Sequence, residues 1–128
     1  MRTQYRLRTS ERGLLAWDVH GLIEKTIGLI PFDLTLDEIR ELDETFWFEN
    51  EGDTPTCRKI AEHAKLIAET DLSHPIILDP DGRVMDGMHR VCKALLEGRT
   101  SILAVKLDEM PEPDFTGLAL DELPYPFD

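Results

Sequence analysis

From Thr56 onward the apolar positions change period in a readable order. Ile60, Ala61, Ala64, Ile67 and Ala68 recur at helical spacing, with Arg58, Lys59, Glu62 and Lys65 between them. This predicts an amphipathic helix that begins near Thr56 and buries that stripe, with His74-Pro75 as its stop. Pro75-Ile-Ile-Leu78 then reads as a short buried strand. Asp79-Pro-Asp-Gly82 is a turn with proline at its second position, so a β-hairpin into Arg83-Val-Met85 is expected. A third helix is expected over about Met88 to Glu97, with Val91, Cys92, Leu95 and Leu96 facing the core and Gly98 as its C-terminal cap. Ser101 to Leu107 is a further strand.

The first half is less regular. Residues 1–12 carry four arginines and little apolar periodicity, so they read as a loose arm or an edge strand. Leu14 to Ile30 is apolar-rich and is expected to end in a short strand entering Pro31. Thr35-Leu-Asp-Glu38 fits a capping box, which predicts a helix to about Glu44 with Leu36, Ile39 and Leu42 inward. Phe46, Trp47 and Phe48 form an aromatic cluster, and Glu49 to Pro55 is a turn-rich loop. After Lys106 there are seven acidic residues, four of the eight prolines and no basic residue. The apolar residues there (Phe115, Leu118, Leu120, Leu123, Tyr125 and Phe127) suggest a strap over the domain, against the alternative of an acidic disordered terminus. The expected organisation is an arm over 1–12, an α+β domain with a small mixed sheet and packed helices over 13–107, and the strap over 108–128.

Composition narrows the functional classes. A chain of 128 residues is long enough for one domain with a sizeable core. Its net charge of -12 repels phosphate backbones, so duplex DNA is not an expected partner, although a local basic spot can still hold a small anion. No apolar run reaches the ~20 residues of a membrane span. MRTQYRLRTSERG has arginines but no apolar core of a signal peptide, so a cytoplasmic protein is expected. Cys57 and Cys92 lie among aliphatic residues of helices and read as small buried hydrophobes in a reducing compartment.

Asp86-Gly-Met-His-Arg90 is where chemistry is expected. The strand before it delivers the chain to a helix N-terminus, where the first amide N–H groups lack intrahelical partners and the helix dipole is positive. Gly87 tolerates a positive φ and lets the backbone approach a bound group. Arg90 in the first turn opposes the dipole. A bound phosphate would account for it, since the amides, His89 and Arg90 would converge on that anion. Asp86 beside a phosphate needs a metal ion or a transferable proton between them. The same string is also what a plain Asp-capped helix with solvated His and Arg would carry.

The run HPIILDPDGRVMDGMHRVCKALLEGRTSILAVKL resembles the ParB/sulfiredoxin fold superfamily, in which strand, phosphate-binding loop, helix and strand recur in this order. Its D-G-x-H-R form is similar to members with nucleotide-handling loops, including ADP-dependent free serine kinases and DGQHR-type proteins. The resemblance covers about Leu72 to Leu107, and more loosely reaches back to Thr56 and Leu14. It implies a nucleoside di- or triphosphate (ATP, ADP or CTP) with Mg²⁺, held by Gly87, Met88, His89 and Arg90, with Asp86 on the metal. Two departures bear on activity. Met88 stands where sulfiredoxins carry their reactive cysteine, which argues against sulfinic acid reduction. Chromosome-partitioning proteins carry a Gly-Glu-Arg-Arg loop and a helix-turn-helix domain, neither of which is found in these 128 residues.

Other candidates follow from the same comparison. In the kinase-like members a glutamate near the first helix takes the hydroxyl proton. Glu41, Asp43 and Glu44 are the local candidates here, against a reading as a solvated acidic helix end. Asp86 and His89 are the remaining candidate catalytic groups. Arg58 and His63 form a second polar set that is expected to help hold the nucleotide. His20, His63, His74 and His89 lack zinc-ligand spacing. Three functions stay open: a phosphotransferase or hydrolase acting on an unidentified small-molecule or protein substrate, a non-catalytic nucleotide-sensing or protein-interaction module, and a chromosome-partitioning or nuclease accessory protein. The sequence fixes no oligomeric state.

Overall fold

The computed structural model describes residues 4–48 and 54–124. Its elements form two small sheets with helices, an α+β architecture. Strands β1 (Tyr5–Ser10) and β2 (Gly13–Asp18) make an antiparallel hairpin, and helix α1 (Val19–Glu24) follows directly. Asp18 starts that helix, its carboxylate accepting from His20 N at 2.9 Å. Strand β3 (Phe32–Thr35), helix α2 (Cys57–Glu69), strands β4 (Ile76–Leu78) and β5 (Val84–Asp86), helix α3 (Met88–Leu96), and strands β6 (Ser101–Lys106) and β7 (Phe115–Thr116) complete the order. The second sheet runs β3-β6-β4-β5, with β4 and β6 parallel and the other pairs antiparallel.

Side-chain alternation in this second sheet divides the core. Ile76, Leu78, Val84, Ile102 and Ala104 face α3, where they meet Met88, Val91 and Ala94. Ile77, Met85, Val105 and Leu107 face the other way and pack against Trp17 and Leu22. Three-residue strands buried on both faces read as continuous apolar runs, which is the pattern of Ile76-Ile-Leu78.

The described part of the C-terminal segment runs along the first sheet, with Leu120 exposed. Its β7 pairs with β2, Pro111 O accepts from Trp17 Nε1 at 2.9 Å, and Asp114 accepts from Asp18 N at 2.8 Å. Leu123 is buried. Tyr125 and Phe127 lie outside the described residues, as do residues 49–53 of the expected loop.

Several sequence expectations need correction. Tyr5–Ser10 is a strand at a sheet edge, the second of the two forms expected for the N-terminal segment. The strand near Pro31 follows that proline instead of entering it. Thr35 caps no helix, because its backbone is already paired to Ser101 in β3 and its side chain makes no cap bond. Two 3₁₀ turns, Leu36–Glu38 and Arg40–Asp43, replace the expected helix, broken at Ile39 by an extended backbone. Leu36 and Ile39 are nevertheless buried. Most of the α2 stripe is not buried: Ile60 is 54% exposed and Ala61, Ala64 and Ala68 are exposed, Ile67 alone being half-buried, and Cys57 is exposed too. That helix ends at Glu69, before His74-Pro75. In α3 the inward residues are Met88, Val91 and Ala94, whereas Leu95 and Leu96 face solvent and Cys92 is half-buried. Burial pushes the Cys92 thiol pKa up.

Candidate functional site

The hairpin turn fixes where the loop starts. Asp79 is buried, and its Oδ1 accepts from Asp81 N and Arg83 N, both at 2.9 Å. Its Oδ2 faces Arg8 Nη2 at 3.0 Å. The ladder then carries one extra residue on β5, since Leu78 pairs with Val84 and Ile77 with Asp86. This bulge sets the direction in which the chain leaves the sheet towards Gly87.

Gly87 adopts φ 108°, in the left-handed region, and no side chain caps α3. A Cβ at Gly87 would lie 2.7 Å from Ile76 Cγ2 and 2.8 Å from Arg90 Nη2, so both conformation and space demand glycine. The first turn of α3 therefore opens with uncapped amides. Beside it lies a cleft of about 260 Å³ lined by Gln4, Leu66, Glu69, Thr70, Asp86, Gly87, His89 and Arg90. Met88, the remaining member of the expected phosphate loop, points its side chain into the core.

Arg90 does not stand free. Its Nη2 donates to Asp86 Oδ2 and to Pro75 O, both at 3.2 Å, while its Nε is buried without a partner. The Asp86–Arg90 pair, one helical turn apart, answers the question of an arginine placed against the dipole: the carboxylate offsets it. Asp86 Oδ1 is left over for a further donor or a cation.

His89 meets His63 across the α2–α3 contact, with Nε2 of one 2.8 Å from Nδ1 of the other. Trp47 stacks on both rings, at centroid distances of 4.2 Å to His63 and 4.5 Å to His89. Desolvation, with the neighbouring His63 second, pushes the His89 pKa down to about 4 against the pull of Asp86. Burial also lowers His63. Both shifts favour the neutral imidazoles, and the His89 ring nitrogen that is not turned to His63 is Nδ1. Trp47 as the lid of a histidine pair was not foreseen from the sequence. Its only signal was the aromatic run Phe46-Trp-Phe48.

The candidate carboxylates Glu41 and Glu44 are brought together elsewhere. Glu41 is buried and its Oε2 accepts from Val84 N at 2.8 Å and faces Arg83 Nε at 3.1 Å. Glu44 takes both terminal nitrogens of Arg83, at 3.0 and 2.6 Å, and this contact lowers its pKa. Asp43 is exposed on the same 3₁₀ turn, and Arg58 is exposed in the first turn of α2. Neither His63 nor Arg58 is among the cleft-lining residues: His63 touches the cleft's His89 from behind, and Arg58 is exposed at the far end of α2. The Glu41 contacts predict a structural effect: Glu41→Gln loses the charge facing Arg83 and is expected to lower unfolding free energy by about 1.5 kcal/mol. Urea denaturation without ligand measures it, and an unchanged midpoint would show that the carboxylate does not hold the β5 edge.

Among the described residues no three His, Cys, Asp or Glu side chains gather as a metal site, and no helix is long and apolar enough to cross a membrane. Comparison of the chain with protein-family models, curated proteins and solved structures finds no match.

Proposed function

We propose that the protein is a nucleotide-binding domain of ParB/sulfiredoxin character. It takes the phosphates of a nucleoside di- or triphosphate on the Gly87–Arg90 turn. The observation that carries this reading is the uncapped start of α3 beside the cleft, with Gly87 held at a φ that only glycine adopts easily. Backbone amides at a helix N-terminus form a ready anion site. Arg90 is poised at its edge, with its Nε buried without a partner.

Glu69 and Asp86 in the cleft would repel a bare polyphosphate. They suit a nucleotide that arrives with Mg²⁺, which keeps several waters and binds through one or two carboxylates plus phosphate oxygens. Asp86 would hold the ion through the oxygen not given to Arg90, and the ion would neutralise phosphate charge. Binding without turnover is the favoured form, because Glu41 and Glu44 are committed to Arg83 and the two imidazoles to each other. The surface charge of -12 weighs against duplex DNA as the ligand.

A thermal-shift screen of ATP, ADP, CTP and GTP, each with and without Mg²⁺, tests this reading, because a ligand of the folded state raises Tm by mass action. At least one nucleotide is expected to stabilise the wild type, more so with Mg²⁺. Asp86→Asn, which also removes the charge facing Arg90, should lower Tm modestly without ligand and lose the Mg²⁺-dependent part of the nucleotide-induced rise. Equal Mg²⁺-dependent stabilisation in both proteins would show that the carboxylate serves only Arg90.

A further inference from the structure

The domain leaves the apolar stripe of α2 unused. Lys59, His63 and Ile67 are the half-buried residues that turn inward, whereas Cys57, Ile60, Ala61, Ala64 and Ala68 lie round the helix from them and are exposed. What holds the helix is polar or stacked: the His63–His89 contact, Trp47, and the Lys93 ammonium on Ala68 O at 3.1 Å and Thr70 O at 2.7 Å. A helix of 13 residues gains most of its stability from covering its apolar face.

We propose that this face is covered by a second copy of the chain, α2 packing antiparallel on α2 across a two-fold axis between His63 and Ala64. Three features on the helix support that occupant. First, the exposed Ile60 gives each copy a large apolar side chain to bury at the seam, and Ala61, Ala64 and Ala68 keep that seam narrow enough for close helix packing. Second, Arg58, Glu62, Lys65 and Glu69 alternate in sign along one flank. The same axis places Arg58 opposite Glu69 and Glu62 opposite Lys65 in both copies, whereas a parallel, in-register pair would set like charges together. Third, in a chain of net charge -12, the exposed flank of α2 is neutral, with Arg58 and Lys65 against Glu62 and Glu69. It is a face on which two copies of an acidic protein meet without repulsion.

One pair of short helices is a small interface, so the dimer is weak and concentration-dependent. Sedimentation velocity of the full chain over a roughly hundredfold concentration range reads it directly. The wild type is expected to pass from monomer to dimer. Ala64→Arg, at an exposed position, should stay folded by circular dichroism and remain monomeric throughout. Lys65→Glu should weaken the dimer about tenfold, and adding Glu62→Lys should restore it, because the swap rebuilds the same pairs in reverse. A wild type monomeric at every concentration overturns the proposal and leaves the stripe to a protein of another sequence. A dimer indifferent to Ala64→Arg, or a double variant as weak as the single one, overturns it as well.

Discussion

Gly87→Ala is expected to lower the unfolding free energy by about 3 to 4 kcal/mol, well above an ordinary surface substitution. Two costs add. The backbone at φ 108° is outside the regions that residues with a Cβ adopt readily, which costs about 1–2 kcal/mol. The new methyl would then stand 2.7 Å from Ile76 Cγ2 and 3.0 Å from Ile76 Cβ, and Ile76 is fully buried between β4 and α3. Arg90 can swing its terminal nitrogen away from the methyl, but only by leaving Asp86 and Pro75 O. Chemical denaturation checks the value. A loss below about 1 kcal/mol would mean that the loop relaxes freely and that its conformation is not enforced by packing.

Acid should destabilise the fold through the histidine pair before the carboxylates are fully protonated. The His89 pKa is pushed down to about 4, chiefly by desolvation, while an unfolded chain protonates its histidines near 6.5. Between those values the unfolded state takes up a proton that the folded state refuses, so stability falls as pH drops from about 6.5 to about 4. His63, lowered by the same cause, adds in the same direction. Allowing for solvent screening of a partly exposed pair, the His89 contribution is about 2 kcal/mol. His89→Phe keeps a ring for Trp47 to stack on and removes the titration. The difference in unfolding free energy between pH 7 and pH 4.5 should therefore be smaller in His89→Phe by that amount. Parallel pH profiles for the two proteins would contradict the burial of the pair.

The central supersecondary unit was legible because its signals are local. Pro80 and Gly82 specify the turn, Ile76-Ile-Leu78 is too apolar and too short for anything but a buried strand, and Gly98 ends α3 with φ 75°. The segment at Thr35 failed for a non-local reason. Its capping-box residues are present, but pairing of β3 with β6 and burial of Leu36 and Ile39 override helix propensity, leaving 3₁₀ turns. The α2 stripe misled because periodicity gives an amphipathic helix without saying what covers it. At the site, Gly87 and its neighbours followed from a strand-to-helix junction. The partners of Arg90, Glu41 and His89 did not, since each contact joins segments far apart in the chain or depends on side-chain direction.

The most direct test of the central claim is an ¹⁵N–¹H correlation spectrum of the full chain titrated with the stabilising nucleotide and Mg²⁺. Binding at the α3 N-terminus predicts that the largest shifts fall on the backbone amides of Gly87, Met88, His89 and Arg90, with smaller ones at Thr70 and Leu66 across the cleft. Saturable binding that leaves those four amides unmoved would place the ligand elsewhere and contradict the account.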